Sequence, residues 1–469
     1  MKNTLTKICI ILVSSMFVWG CGGSDHSNKA PNDNTGNPSD NTGNPNDNTG
    51  NPNDNTGNPN DNTGNPTDTG VTNRTVSGVS QKGPFITGSS VTVQELDGGE
   101  TLRQTGNSFK GKISNNRGEF SVTSISLVSQ YALLEVSGYY RNEVTGKNST
   151  SLIVMNALVD ISDRENVNIN LLTHLETDRV MRLVTVDHVE FNQAKRQARE
   201  ELMGDFGFTG DFGEAEDMNI FGDNNDAAAL LAMSVIAQGN LNESSFTERI
   251  THISSDIADG TVDNDNLWRE MAIWAMSADL SAIRQNMENW GEHVPEFEKY
   301  IRQFWRSTLD LTSCSNIDGF SEVEGTILIC RADGWDRANP DEILNYYLGK
   351  CDSSNQDEVK RCEGESEYCA GKMMVCHDTV WSDASQDDII NSIGIKNFGQ
   401  CREDKQGEIA SCKGKEVCCP SEEFCFDGIT LICRDGRWRT AQYEEILSYY
   451  LGTCDSGNEG EIKQCEAEY

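Results

Sequence analysis

Basic residues are scarce in this chain. Its 469 residues include 38 lysines and arginines against 74 aspartates and glutamates, for a formal net charge of −36 at pH 7. Nucleic acids and anionic membrane surfaces are bound through positively charged stripes, so we expect no nucleic-acid partner. The acidity fits a solvated surface or cation binding. A chain of this length is expected to form two or three domains with linkers instead of one compact core.

Recognisable catalytic signatures are lacking as well. The sequence contains no H-E-x-x-H zinc motif, G-x-S-x-G elbow, P-loop or dinucleotide fingerprint. Carboxylates are too frequent for a pair of them to indicate a glycosidase. The histidines are scattered over the chain, at His26, His174, His188, His252, His293 and His377. We therefore predict a protein that is not an enzyme and has no catalytic residues, no metal and no cofactor.

Two acidic runs are the only candidates for calcium ligands. Asp223–Asp226 and Asp259–Asp265 offer several oxygen atoms. Neither has the EF-hand spacing, in which a glutamate follows the glycine by six positions. Helix N-caps explain both runs equally well. His174 is similarly interpreted as a core or capping histidine.

The first twenty residues are typical of a secretory signal. Lys2 and Lys7 supply positive charge, and the apolar run 8–18 is too short to span a bilayer. The following Val18-Trp19-Gly20-Cys21 resembles the lipobox of bacterial lipoproteins, although Trp19 is bulkier than the usual residue there. The resemblance implies fatty acylation of Cys21 and, with Gly22 next, an outer-membrane location in the cell envelope. The alternative is an ordinary signal peptide with a buried cysteine.

Cysteine usage points to the same compartment. Apart from Cys9 and Cys21, all of the sixteen cysteines lie between Cys314 and Cys465. This density is typical of a disulfide scaffold in an oxidising space. Zinc binding is the rival explanation, but the region has no C-x-x-C pair and only one histidine, His377.

A polar repeat follows the signal. The heptapeptide Asn-Asp-Asn-Thr-Gly-Asn-Pro occurs five times between Asn32 and Pro66, once with Ser39 at its first position. Proline in every seventh position and glycine between exclude helix and sheet. We predict that residues 21–74 are a disordered tether, which would hold the folded part roughly 40 Å from its anchor by coil statistics.

Residues 75–166 show short alternating runs separated by turn signals. Val91–Leu96, Glu119–Val122 and Tyr131–Val136 are predicted strands, and their spacing suggests a small antiparallel β-sandwich. The pattern Lys82-Gly83-Pro84-Phe85, Gly88–Val93 and Asn116–Phe120 resembles the transthyretin-like, carboxypeptidase-regulatory type of sandwich. In that family the module is a structural or binding unit, so the resemblance implies no catalytic residue.

Residues 167–310 have helical periodicity and predict an all-α bundle of five or six helices. Ala227–Ala237 is apolar on all sides and is the expected central helix. Ser245 and Glu248 suggest a capping box that opens a second helix. Apolar positions from Leu267 to Trp290 predict one longer helix, and Pro295 is expected in the first turn of the next.

Residues 311–469 contain a tandem repeat of about 50 residues. Each copy has a cysteine, a tryptophan and an alanine, then an acidic pair with isoleucine, then Gly-x-Cys. The tryptophans are Trp335, Trp381 and Trp438. We predict small cysteine-stapled modules, because units this short bury too little apolar surface to fold alone. The last copy ends at Tyr469, where the next cysteine is expected, so either the sequence is a truncated product or the last module is incomplete, with Cys454 and Cys465 left to pair with each other or stay free.

Disulfide connectivity does not follow from spacing alone. The repeat suggests that each Gly-x-Cys pairs with the cysteine before the next tryptophan: Cys314 with Cys330, Cys351 with Cys376, and Cys401 with Cys433. The further disulfide candidates are Cys362, Cys369, Cys412, Cys418, Cys419 and Cys425.

The three repeat tryptophans have two interpretations. In a carbohydrate-binding module a planar tryptophan stacks on a sugar, and tandem copies add avidity. In a disulfide-rich domain of this size, the single tryptophan is usually the core. The core interpretation is favoured for Trp335, Trp381 and Trp438.

The combination of lipobox, tether, sandwich, the Asn168–Glu176 stretch and Cys/Trp modules resembles the paralogous surface lipoproteins of fibrobacterial, plant-fibre-degrading bacteria. The resemblance implies location and architecture more than activity. We expect a membrane partner through the lipid anchor, and a non-catalytic adhesion, interaction or structural role toward another surface protein. The alternatives are binding of plant-fibre polysaccharide, and an enzyme with an unrecognised site in the helical region.

Overall fold

The computed structural model describes residues 70–98, 101–414, 428–453, 456–459 and 461–463. The predicted signal, Cys21 and most of the predicted tether lie outside these residues, as do Cys418, Cys419, Cys425, Cys454 and Cys465. Within the described ranges, no helix combines the length and the apolar character needed to cross a membrane.

Two β-sheets form the first part of the described chain. The strands are β1 (Val71–Gln81), β2 (Ser90–Leu96), β3 (Gln104–Lys112), β4 (Glu119–Leu127), β5 (Tyr131–Gly138), β6 (Ile153–Asp160) and β7 (Ile169–Asn170). One antiparallel sheet has the order β3-β2-β5-β6. In the other, β1 lies between β4 and β7, antiparallel to the first and parallel to the second.

The strands predicted from alternation, β2, β4 and β5, are confirmed. β1 begins at Val71, inside the segment predicted as tether, because Val71 and Val76 are buried and pair with β4. Nearly every residue of β3 is exposed, so this strand has no apolar alternation by which to recognise it.

Seven helices follow between residues 171 and 308. They are α1 (Leu171–Thr185), α2 (Phe191–Asp205), α3 (Asn225–Gln238), α4 (Glu243–Ile257), α5 (Asp265–Ser277), α6 (Leu280–Glu288) and α7 (Glu298–Thr308). The prediction for α3 is confirmed, since all its residues from Ala227 to Gln238 are buried.

Three helix boundaries differ from the predictions. α4 begins before the expected capping box, because the side chain of Asn242 accepts a hydrogen bond from the Ser245 amide and caps the helix there. The expected long helix is two helices, α5 and α6. Asp279 separates them by accepting from the Ala282 amide and starting a new helix. Pro295 precedes α7, and its carbonyl oxygen accepts from the Phe297 amide in a turn before the helix.

One hydrophobic core runs through both sheets and the helices. Val93 of β2, Val122 of β4, Leu231 of α3 and Phe304 of α7 belong to the same cluster of buried residues. We call residues 70–310 the body. A second cluster packs β5 and β6 against α1 and α2.

The repeat region follows the body and contains three copies of one unit, here called repeats A, B and C. Each copy is a three-stranded antiparallel sheet followed by a helix. Repeat A has β8 (Phe320–Val323), β9 (Thr326–Arg331), β10 (Gly334–Arg337) and α8 (Pro340–Leu348). Repeat B has β11 (Val359–Arg361), β12 (Met373–His377), β13 (Val380–Asp383) and α9 (Gln386–Phe398). Repeat C has β14 (Ile409–Ser411), β15 (Thr430–Arg434), β16 (Arg437–Thr440) and α10 (Tyr443–Leu451).

Candidate functional site: the cysteine and tryptophan repeats

A β-hairpin brings the cysteine and tryptophan of each repeat together. Cys330 lies opposite Trp335, Cys376 opposite Trp381, and Cys433 opposite Trp438 as cross-strand partners. Directly opposed side chains on one face of a sheet are in contact distance. The spacing in the sequence is therefore the length of a hairpin turn.

Disulfides join consecutive repeats. The structure pairs Cys314 with Cys330, Cys351 with Cys376 and Cys401 with Cys433, and these are the pairings that the repeat predicts. Cys351 follows α8 of repeat A, whereas its partner lies in β12 of repeat B. The bond from Cys401 joins the end of repeat B to β15 of repeat C in the same way.

Two further disulfides involve cysteines of repeats B and C. Cys362 pairs with Cys369 and closes a short loop inside repeat B, a pairing that the sequence does not specify. Cys412 of repeat C is disulfide-bonded as well. Among the bonded cysteines of the described ranges, all but the half-buried Cys314 are buried, as expected for structural disulfides.

The tryptophans of repeats B and C lie between repeats. Trp381 is 4% exposed and Trp438 is 1% exposed. The indole Nε1 of Trp381 donates to the Gly349 carbonyl oxygen at 2.8 Å, and that of Trp438 donates to Gly399 at 2.8 Å. Each glycine ends the helix of the preceding repeat. The rings are part of the inter-repeat core and present no open face on which a sugar could stack.

Trp335 has the equivalent position in repeat A but faces the body. It is half-buried and packs against the core of the body. Arg306 at the end of α7 donates through Nε to the Trp335 carbonyl oxygen at 2.5 Å and through Nη1 to the Asp333 carbonyl oxygen at 2.8 Å. The end of α7 thus takes the place that a preceding repeat helix takes for Trp381 and Trp438.

The acidic pair of each repeat has a local structural role. Its second member closes a capping box at the start of the helix: Glu342 with Asn339, Asp388 with Ser385, and Glu445 with Gln442. The residue after each hairpin cysteine contacts that same carboxylate: Arg331 and Arg434 form ion pairs with it, and His377 forms a hydrogen bond. These carboxylates are therefore satisfied within the repeat.

Asp388 also joins two repeats. Its carboxylate accepts from Arg437 of repeat C at 2.6 Å and from His377 of repeat B at 3.2 Å. Partial burial alone would raise the pKa of this carboxyl, but hydrogen bonds from Ser385, Arg437 and His377 hold the pKa well below its usual range.

The body contains a fully buried ion pair. Lys82 and Glu143 are both inaccessible to solvent, and Nζ lies 2.7 Å from Oε1. The Ser234 hydroxyl donates to the same carboxylate at 2.6 Å, and the rings of Tyr140 and Phe246 flank the ammonium group. Burial lowers the pKa of Lys82, against the opposing effect of Glu143. The pair joins the sheets to α3.

A second ionic cluster lies between α1, α2 and the segment before α3. Lys195 contacts the carboxylates of Glu176 and Glu216, the latter at 2.6 Å. Burial raises the pKa of Glu176 to about 7, although Lys195 opposes the shift; Glu216 raises it further. The adjoining cavity holds about 50 Å³, room for about three water molecules.

The two acidic runs that the sequence offers as candidate calcium ligands lie at helix N-termini. Asn224 caps α3 and Asn264 caps α5, which accounts for the positions of both candidate calcium runs. In the described part of the chain, no group of three or more His, Cys, Asp or Glu is placed to hold a metal ion. His174 accepts from the Asn156 amide through Nδ1 at 3.3 Å. His174 is half-buried, and desolvation lowers its pKa to about 4.

Sequence reasoning missed both ionic clusters of the body. Lys82 lies in the Lys-Gly-Pro-Phe motif and Glu176 in the Asn168–Glu176 stretch. A charged residue inside an otherwise structural motif is the sequence feature that could have indicated each buried ion pair. Their partners are distant in sequence: 61 positions separate Lys82 from Glu143. Comparisons with protein-family models, curated proteins and solved structures found no match.

Proposed function

We propose that this chain is a lipid-anchored surface protein of the bacterial outer membrane, with a non-catalytic structural or interaction role. In this proposal Cys21 carries the lipid, residues 21–69 are the tether, and the two sheets of the body are the transthyretin-like sandwich.

The observation that carries the proposal is the bonding of consecutive repeats through Cys351–Cys376 and Cys401–Cys433. Disulfides of this kind form and persist in oxidising compartments outside the cytoplasm. These bonds link each repeat covalently to the next, which suits a protein exposed to an extracellular environment. Burial of Trp381 and Trp438 removes two of the three tryptophans that the sequence offers as a platform for polysaccharide.

Metabolic labelling with an alkyne fatty acid tests the anchor. The full-length chain, expressed in a bacterium with an outer membrane, should carry the label and fractionate with that membrane. Cys21→Ser should abolish the label. Cys9→Ser is the matched control, because this cysteine lies in the segment that is removed, and it should leave labelling unchanged. Label that persists in Cys21→Ser, or a cytoplasmic product with reduced thiols, would contradict the proposal.

A further inference from the structure

Lys82 and Glu143 meet inside the body without the hydrogen bonds that two charged groups need. Both side chains are wholly inaccessible to solvent, and Nζ lies 2.7 Å from Oε1. Within the described residues, Glu143 is the one acceptor that Nζ reaches, and Oε2 of Glu143 is buried with no hydrogen-bond partner. An ammonium group has three protons to donate, and both oxygens of a carboxylate accept. An ionised pair is therefore left with unsatisfied groups where each of them is costly.

The hydroxyl of Ser234 in α3 limits where the protons of the pair lie. Its Oγ is 2.6 Å from Oε1 of Glu143 and 2.5 Å from the carbonyl oxygen of Lys82. A hydroxyl has one proton to donate, and a carbonyl oxygen has none. Both contacts are hydrogen bonds at the same time only when the carboxyl group carries a proton, and a neutral acid in a dry site is best matched by a neutral amine. Burial, which lowers the pKa of Lys82 against the effect of Glu143, acts in the same direction.

Lys195, in the second ionic cluster, shows the contrasting arrangement. Its Nζ contacts the carboxylates of Glu176 and Glu216 and donates to the Leu158 carbonyl oxygen at 3.2 Å. Three acceptors satisfy the three protons of an ammonium group. Burial opposes the charge, but the two carboxylates together raise the pKa of Lys195. Lys195 is thus held as a cation, which has no lone pair with which to attack a carbonyl group.

The backbone holds Lys82 and Glu143 at reacting distance. The Arg141 amide donates to the Pro84 carbonyl oxygen at 2.9 Å, which joins the two segments next to the pair. Gly83 permits this approach, because a Cβ at its position would lie 1.9 Å from the Arg141 carbonyl oxygen. With Nζ 2.7 Å from Oε1 and a C–O bond of about 1.2 Å, the carboxyl carbon of Glu143 lies within about 4 Å of Nζ, close to the separation of a near-attack pair.

Aromatic rings keep water away from the pair. The ring centroids of Tyr140 and Phe246 lie 5.4 Å and 5.0 Å from Nζ, and both residues are fully buried. Hydrolysis of an amide requires water at the carbonyl carbon. A site that excludes water therefore favours an amide over the separate acid and amine.

We propose that Lys82 and Glu143 condense after folding into an intramolecular amide, an isopeptide bond between the segment that follows β1 and the segment that follows β5. The amine nitrogen attacks the carboxyl carbon, so an N–C bond forms and the bond from that carbon to Oε1 breaks. Of the three protons on the neutral amine and the neutral acid, one stays on the amide nitrogen and two leave with the oxygen as water. No atom changes its oxidation state. Ser234 contacts Oε1 and is placed to protonate it as it leaves, while a proton from the amine replaces the one given up by the hydroxyl.

The amide would close a loop of 61 positions and replace two buried charges by one neutral group. Unlike the disulfides of the repeat region, it would persist under reducing conditions. The inference depends neither on the lipid anchor nor on the compartment, so fatty-acid labelling and the test below fail independently.

Peptide mapping of the full chain tests the bond. The purified protein is denatured, reduced, alkylated and digested with trypsin, which cleaves after lysine and arginine. We expect a branched species in which residues 75–103, uncleaved at Lys82, are joined to residues 142–147, with a mass one water below the sum of the two peptides. Fragment ions should place the junction at Lys82 and Glu143. Separate peptides 75–82 and 142–147 at their sequence masses, as the main species, would overturn the proposal.

Lys195 is the internal control, and Lys82→Arg is the matched variant. In the same digest Lys195 should end an unmodified peptide of residues 183–195. A cross-link at Lys195 as well would overturn the argument that unsatisfied hydrogen bonds select Lys82. Lys82→Arg keeps the positive charge but supplies no amine, so residues 142–147 should appear as a free peptide. A branched species containing these residues in the variant would overturn the assignment to Lys82.

The role of Ser234 is tested by the rate of bond formation. The fraction of branched peptide is followed at intervals after cell-free synthesis of the full chain. Ser234→Ala should slow its appearance by at least about tenfold, as expected for loss of a proton-transfer group. Ser254→Ala, at a buried serine of α4 that bonds to Asp178 instead, should leave the rate unchanged. Equal rates in wild type and Ser234→Ala would overturn the assignment of the hydroxyl.

Discussion

The body and the repeat region reach a stable fold by different means. The body buries large aromatic side chains completely, among them Phe206, Phe246 and Phe304, in one core that spans two sheets and seven helices. The core within each repeat is only a few residues, such as Ile327, Ile329, Ala338 and Ile343 in repeat A. Units this small gain too little from burial to offset the entropy of ordering the chain.

Covalent bonds and contacts between neighbours compensate in the repeat region. The clusters around Trp381 and Trp438 each combine residues from two consecutive repeats with a disulfide. Stability in such an array is expected to be approximately a sum of nearest-neighbour terms. We therefore expect a destabilising substitution in the body to affect its whole core. A destabilising substitution at a repeat junction should affect only the two adjoining repeats.

Loss of a core aromatic in the body should have the largest effect. Phe304→Ala removes a fully buried ring that contacts Phe206 and Trp268, and we expect it to lower the free energy of unfolding by about 3–5 kcal/mol. Hydrogen exchange should accelerate throughout the body, while repeats B and C keep their protection. Half-buried Phe320 of repeat A provides the matched control. Phe320→Ala should lower the free energy of unfolding by less, and its effect should be confined to repeat A. Effects confined to α7 would contradict the idea of one continuous core.

Removal of an inter-repeat disulfide should come next. The double substitution Cys351→Ala/Cys376→Ala is expected to lower the stability of the junction between repeats A and B by about 2–4 kcal/mol. The body should unfold at an unchanged denaturant concentration. Urea unfolding followed by region-resolved hydrogen exchange measures both quantities.

Cys362→Ala/Cys369→Ala is the internal control for that experiment. This bond spans 7 positions against 25 for Cys351–Cys376, so the loop-entropy account gives it about 1 kcal/mol less stabilisation. An equal or greater loss from the control would show that loop closure is not what the inter-repeat bond contributes.

The sequence predicts the repeat region better than the body. Each repeat is a local unit, so the spacing of Cys330, Trp335 and Gly349 reports directly on hairpin and helix lengths, and comparison of the copies suggests the disulfide pairs. In the body, alternation of apolar and polar residues is enough to predict β2, β4 and β5, and a uniformly apolar segment is enough to predict α3. The break between α5 and α6 is missed because the apolar pattern continues across Asp279, whereas the helical conformation of the backbone is interrupted there.

Distant polar contacts explain the remaining failures. Lys82 and Glu143 carry no mark in the sequence that identifies them as partners, and a lysine is almost never fully buried unless it is paired. The three-dimensional neighbours, and not the residue types, decide these positions.

A pH dependence specific to the body is expected from His174. Its pKa is about 4 in the fold against about 6.5 in an unfolded chain, so the unfolded state binds the proton first. The part of the folding stability that depends on neutral His174 is therefore present above pH 6.5 and is lost as the pH falls toward 4. Between pH 7 and pH 5 the body should lose about 2 kcal/mol from this residue.

Denaturant unfolding of wild type and His174→Gln at the two pH values isolates this effect. Glutamine can still accept the Asn156 amide but does not titrate, so the difference between the two proteins should shrink as the pH falls. The comparison of variants is needed because Glu176, with its raised pKa, contributes in the opposite direction. A difference that is independent of pH would contradict the assignment.

The smallest expected effect is the loss of one helix cap, and it distinguishes the two regions most directly. Asn339 caps α8 and Asn264 caps α5, each by accepting from the amide three positions on, at 3.0 Å and 3.2 Å. Replacement of either by alanine should cost about 1 kcal/mol. In repeat A, where α8 packs only on small clusters, that cost should appear as hydrogen exchange several-fold faster over α8. In the body, α5 packs on α7 within the large core, so the same cost should appear only in global unfolding. Asn339→Asp keeps the acceptor and should restore slow exchange, whereas equal acceleration of α5 and α8 by the two alanine variants would show that the body opens as locally as the repeats do.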